Sequence, residues 1–167
     1  MKYVVLLLSF FCLWPCQGQD YAHWDKKYLL KSYRKLIAEE NAYLVQVKKT
    51  EKPPHDYFRF DTYRMRGKFM GKERPIDPAI MQSMKVVCWA FPGSLLKPAQ
   101  LDGLIKKEFL FNVEGGEVWM PIEKMLETHM HQEVKVGEDV TLYCLFLNDH
   151  RLNHKLYNTL MISEFKR

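Results

Sequence analysis

The sequence predicts an α+β fold: an N-terminal amphipathic helix packed on a small, mostly antiparallel β-barrel, OB-like or SH3-like, with one further helix before the last two strands. Three observations carry that expectation. Between Asp20 and about Glu40, apolar residues recur at helical spacing. After Pro53 and Pro54 the period changes to two. Glycine and proline then cut the chain into short apolar runs, with a second helical stripe ahead of the last two. The length of 167 residues suits one globular unit. A hydrophobic content of 47% with 27% charged residues excludes a disordered tail, a collagen-like rod and a polytopic membrane protein.

Residues 1–18 read as a signal peptide. Lys2 supplies a positive start, an apolar run extends from Val4 to Trp14, and small residues at Cys16 and Gly18 fit a cleavage site between Gly18 and Gln19. The run is too short to span a bilayer, which takes about 20 apolar residues. The mature chain is therefore expected to be exported, periplasmic or secreted, with no transmembrane span.

Residues 19–52 form the helical segment. Trp24, Tyr28, Leu29, Tyr33, Leu36, Ile37 and Leu44 make one apolar stripe, and Asp20 and Asp25 suit the positive end of a helix dipole. Residues 53–167 form the barrel-like part, continuous with the helix as one unit. Tyr57 to Met70 is expected as one long strand or two short ones, with a loop from Gly71 to Pro78. Ser83 to Phe91 is expected as a buried strand, and Pro98 to Lys106 as one or two helical turns. A hairpin turns at Glu114-Gly115-Gly116-Glu117 between Phe109–Val113 and Val118–Met120. Pro121 is expected to stop that strand and open a helix whose face is Ile122, Met125, Leu126, Met130 and Val134. Val140 to Leu147 and Tyr157 to Phe165 are the closing strands, joined by a polar loop that begins at Asn148.

Most catalytic chemistry lacks its signature. None of Ser32, Ser83, Ser94 and Ser163 lies in G-x-S-x-G, and no phosphate-binding loop precedes a helix. His129 and His131, two apart, point to opposite sides of a helix. His150 and His154 lack the Glu of H-E-x-x-H. No metal and no cofactor is expected. Glu114 with Glu117, and Glu138 with Asp139, are turn and strand-end acids that are usually solvated or pair with backbone amides. After cleavage two cysteines remain, Cys88 and Cys144. They either pair in an oxidising compartment, a bridge of about 4 kcal/mol in the chain-entropy model, or stay as two buried thiols.

The charge is uneven. Residues 19–75 carry a net +6, and residues 76–167 a net −2, so the first part favours acidic partners. The strongest signal is Tyr57 to Arg74, where six cations interleave with five aromatics and only two acids. In an extended strand Arg64, Arg66 and Lys68 project from one face. With Arg59, Tyr63 and Phe69 they are the candidate ligand-binding residues. Phe58 and Phe60 share the parity of Arg64 and Arg66, so burying the first pair and exposing the second calls for a bulge near Asp61 and Thr62. The expected function is a non-enzymatic exported binding module that recognises an acidic protein or an anionic glycan or lipid surface, with nucleic acid least favoured. The alternative is a cell-envelope hydrolase or small-ligand carrier with a pocket near residues 148–154, built from Asp149, His150 and His154.

Overall fold

The computed structural model of the chain describes residues 21–50, 56–93, 96–151 and 155–167. The expected signal peptide at 1–18, the linker prolines Pro53 and Pro54, Ser94 and His154 lie outside the described residues. Those described form an α+β fold with five helices and a six-stranded mixed sheet. None of these helices is long and apolar enough to cross a membrane.

The single helix expected from Asp20 to Glu40 is two. Helix α1 (Tyr21–Lys27) and helix α2 (Tyr33–Thr50) flank a two-residue strand β1 (Leu29–Leu30). The apolar stripe runs through the break, but Leu29 is 65% exposed and does not belong to a buried face. Ser32 supplies the restart signal, because its Oγ accepts from the Lys35 amide at 3.2 Å. Leu36 is fully buried in the core, and Glu40 is buried against the sheet.

Strand β2 (Tyr57–Pro75) is long because it serves two neighbours. Its first part, Tyr57 to Lys68, pairs antiparallel with β5 (Asp139–His150). From Lys68 onward it pairs antiparallel with β3 (Ile105–Val113). Two features of the sequence permit this change of partner. Gly67 lies where an added Cβ would come within 3.2 Å of both Leu142 Cδ1 and Val113 Cγ2. Gly71, at φ +69°, sits in the register shift between Phe69 and Glu73. The strand therefore continues through the expected loop at Gly71 as far as Pro75.

Ser83 to Phe91 is not a strand. It belongs to helix α3 (Pro78–Ala90), capped by Asp77, whose carboxylate accepts from the Ala79 amide at 2.7 Å. The reason is visible once residues before Ser83 are included: Ile80, Met81, Met84, Val87 and Cys88 recur at spacings of three and four, behind an Asp-Pro start. Helix α4 (Pro98–Leu104) follows as expected.

Strand β4 (Gly116–Glu123) completes the hairpin with β3. Its two central turn residues are Glu114 and Gly115, at φ 53° and 83°. Pro121 does not start the next helix. It lies inside β4, and helix α5 (Lys124–Glu133) begins after Glu123. Strand β6 (Tyr157–Lys166) pairs antiparallel with β5 and, at Ile122↔Ile162, parallel with β4. Asn148, Asp149 and His150, expected in a loop, are the buried end of β5.

Two apolar clusters lie on opposite faces of the sheet. The larger holds Tyr63, Met65, Phe69, Phe109, Phe111, Met120, Ile122, Leu142, Cys144, Phe146, Leu160 and Ile162, with Leu36 and Met130 from helices. The smaller packs Met84, Val87, Cys88 and Leu101 of α3 and α4 on Leu147 and Met161, with Phe58 and Phe60 beside them. Cys88 and Cys144 thus belong to different clusters and are free thiols. No bridge joins them, and burial pushes the Cys88 thiol up to about 11 and the Cys144 thiol upward as well.

Candidate functional site

The β2–β5 register decides where each cation goes. It is continuous from Tyr57 to Lys68, with no bulge at Asp61 or Thr62. Phe58, Phe60, Arg64, Arg66 and Lys68 therefore share one face. The expected bulge is replaced by a difference in cover: α3 lies over Phe58 and Phe60 and ends short of the arginines. Beyond α3, the same face opens into a cleft of about 800 Å³.

The floor of the cleft is three adjacent strands. Arg66 is opposite Thr141 on β5, and Thr141 is opposite Lys166 on β6. One row across the sheet thus reads cation, hydroxyl, cation. One step along, Arg64 is opposite Tyr143. Leu30, Lys31 and Ser32, Glu114 of the hairpin turn, and Asp25 of α1 form the rim. Lys68, opposite Asp139, stands just outside, with its ammonium 2.9 Å from the Gly137 carbonyl and 3.5 Å from the Asp139 carboxylate.

An aromatic cluster fixes the α1 side. Tyr143 is fully buried, with the rings of Tyr21, Trp24 and Tyr28 at 6.2, 5.6 and 5.6 Å. Its hydroxyl donates to Asp25 at 2.8 Å, and Arg64 pairs with the same carboxylate. The Tyr143 hydroxyl and then Arg64 hold the Asp25 carboxyl below its ordinary range. Burial first, and then Asp25, pushes the Tyr143 phenol up to about 12. On the opposite rim Glu114 caps α2: it accepts from the Arg34 amide at 2.9 Å, the Tyr33 amide at 3.2 Å and the Ser32 hydroxyl at 3.0 Å. The Arg34 amide bond is the main cause of its lowered pKa.

The cations differ in what remains for a ligand. Arg64 is paired to Asp25, Lys31 to Glu39 at 2.6 Å, and Arg167 to Glu138 at 2.8 Å. Among the described residues neither Arg66 nor Lys166 makes an ion pair; the Lys166 ammonium lies 5.1 Å from the Tyr21 ring and adds to the positive field on Asp25. Both are exposed. Asp139 is the most exposed carboxylate of the cleft's ion pairs, its side chain 75% exposed although Lys68 stands 3.5 Å from it.

Arg59, Tyr63 and Phe69 occupy the other face. Arg59 donates to Glu40, to Asp61 and to the Tyr63 hydroxyl, which itself donates to Asp61 at 3.1 Å. Burial opposes the Arg59 charge, but Asp61 and Glu40 outweigh it and raise the pKa. Burial, followed by Asp61, pushes Tyr63 up to about 12. Phe69 is 1% exposed and packs on Phe109 and Phe111. Tyr63 and Phe69 belong to the core and Arg59 lies half-buried at its edge, while Arg64, Arg66 and Lys68 stay together at or beside the cleft. Thr141, Lys166 and Arg167 were missed by sequence reasoning. Each comes from another element, and only the strand pairing brings them beside Arg66.

At the far end of β5, Asp149 takes two 2.9 Å bonds from Arg151. The crevice lined by Glu40, Tyr57, Asn148 and His150 is too narrow for a water molecule. No group of three or more His, Cys, Asp or Glu among the described residues is placed to hold a metal. No family model matches the chain, and neither a curated protein nor a solved structure does.

Proposed function

We propose that the chain is a non-enzymatic, exported binding module that engages an anionic partner through the cleft on the outer face of β2. The observation that carries this reading is the row Arg66–Thr141–Lys166, where two exposed cations without ion pairs among the described residues face one open cleft. A cation left unpaired in a concave, partly low-dielectric site attracts an anion more strongly than one on a flat wet surface.

The scaffold proposed for this role is an OB-like barrel. Its support is the order of pairing: β2–β3–β4–β6–β5 and back to β2, with β4 and β6 parallel. A long, bent first strand shared by two neighbours, and one helix between β4 and β5, fit the same architecture. Closing a sheet in this way removes the exposed edges that a lone sheet must protect. It also fixes Arg64, Arg66 and Lys68 on rigid strands rather than on loops, as precise recognition requires.

Charge reversal tests the reading. Arg64→Glu/Arg66→Glu/Lys68→Glu is expected to abolish retention on an anionic matrix at low salt, while Lys72→Glu/Lys124→Glu, which alters exposed cations away from the cleft, retains most of it. Equal loss in both variants would mean that net charge alone, not the cleft, holds the partner.

A further inference from the structure

We infer that the anionic partner is an acidic saccharide, a sugar chain carrying sulfate or carboxylate groups, held across the Arg66–Thr141–Lys166 row. This rests on the cleft being the binding surface, and it deepens that reading by naming the ligand class.

The composition of the cleft floor selects the ligand class. Neighbouring strands lie about 4.8 Å apart, so Arg66 and Lys166 stand roughly 10 Å apart with β5 between them. What β5 offers there is not another cation but a hydroxyl, Thr141, and two residues away on the same face the exposed carboxylate of Asp139. A ligand that fits must bring acid groups to the two sides and hydrogen-bond donors to the middle. A sugar ring carrying free hydroxyls between two acidic substituents does so. Its hydroxyls donate to Asp139 and Thr141, and its acid groups meet Arg66 and Lys166 with charge-assisted bonds.

The competing polyanions fit less well. A single nucleic-acid strand is held by stacking its bases on exposed aromatic rings. Tyr143 is the one aromatic lining this cleft, and its ring is wholly covered by Tyr21, Trp24 and Tyr28. An acidic peptide supplies carboxylates to the cations, but its other acids then face Asp139, which repels them.

Asp139 therefore discriminates between the classes. For a ligand held by charge alone, Asp139→Ala removes a repulsion and strengthens binding. For a saccharide it removes the acceptor of a hydroxyl. Three labelled probes of matched charge serve: a sulfated heparin oligosaccharide, an oligo-glutamate peptide and single-stranded oligo-dT. Each is titrated into the protein, Asp139→Ala, and Arg66→Glu/Lys166→Glu, with thermal melts confirming that the variants fold. The expected result is that the saccharide binds tightest, that it weakens about tenfold in both variants, and that Asp139→Ala leaves the other two unchanged or stronger. Tighter binding of the peptide or of oligo-dT, or a gain for the saccharide in Asp139→Ala, overturns the saccharide assignment while the cleft reading stands. Binding of every probe unaffected by Arg66→Glu/Lys166→Glu overturns both.

Discussion

Arg59 and Arg66 lie seven positions apart on one strand and have opposite fates. Arg59 points to the core face, where Glu40 is 4% exposed and has to be neutralised. Removing the cation strands that carboxylate, and a buried charge without its partner costs about 3 kcal/mol. Arg59→Met is accordingly expected to lower the urea midpoint strongly, and Arg59→Met/Glu40→Leu to recover most of the loss. A single variant as stable as the parent would show that the pair contributes nothing. The thiols give a second residue-scale prediction. Cys88 and Cys144 should both resist alkylation in the native protein and both alkylate in denaturant without reductant, as read by peptide mapping. Protection in denaturant that reductant removes would establish the bridge that their separate clusters argue against. The sequence showed the cation-aromatic alternation of β2 but not which row faces inward. Only the pairing with β5, and the carboxylate of Glu40 arriving from α2, decide that.

At the scale of elements, legibility followed how local the signal was. The β3–β4 hairpin, α4, α5 and the closing strands were readable because turn residues and periodicity lie within a few positions of each other. Helix α3 was misread because Met84 to Phe91 alone is dense enough to pass for a buried strand; its helical period shows only when Ile80 and Met81 are counted with it. The course of β2 past Gly71 was not readable, since a glycine at a bulge and a glycine in a loop look alike. The structure makes that position testable. At φ +69°, an added Cβ would sit 2.4 Å from Val136 Cγ2. Gly71→Ala is expected to cost about 2 kcal/mol in denaturant unfolding, from left-handed strain plus the clash. Adding Val136→Ala should relieve the clash but not the strain, recovering only part. No loss in Gly71→Ala would mean that the bulge is not needed to turn β2 from β5 to β3.

For the whole molecule, stability depends on pH through carboxyls shifted in opposite directions. Burial, and then Glu164, pushes the Glu123 carboxyl up from 4.5 to about 7. A carboxyl with a raised folded pKa stabilises fully below its unfolded value, and that contribution disappears as pH rises through the folded value. Glu123 therefore makes the protein lose stability between about pH 4.5 and 7. Glu114 and Glu138 are lowered and act in the opposite sense, losing their contribution as pH falls below the ordinary carboxylate range. Thermal melts across that span should show a decline toward neutral pH that Glu123→Gln flattens; an unchanged slope would remove Glu123 as its cause. The cleft belongs to this same scale, because β2, β5, β6, the β3–β4 turn and the α1–α2 segment all contribute to it. Two of its cations, Arg64 and Arg66, and the adjacent Lys68 were visible in one run of sequence. Lys166 and Arg167 were not, since they approach them only through the non-local pairing of β6 with β5. Amide chemical-shift mapping with the sulfated oligosaccharide tests the cleft most directly. The account predicts shifts concentrated at residues 64–68, 139–143 and 166–167. Shifts centred instead on residues 148–157, or spread evenly over all the exposed lysines and arginines, would contradict it.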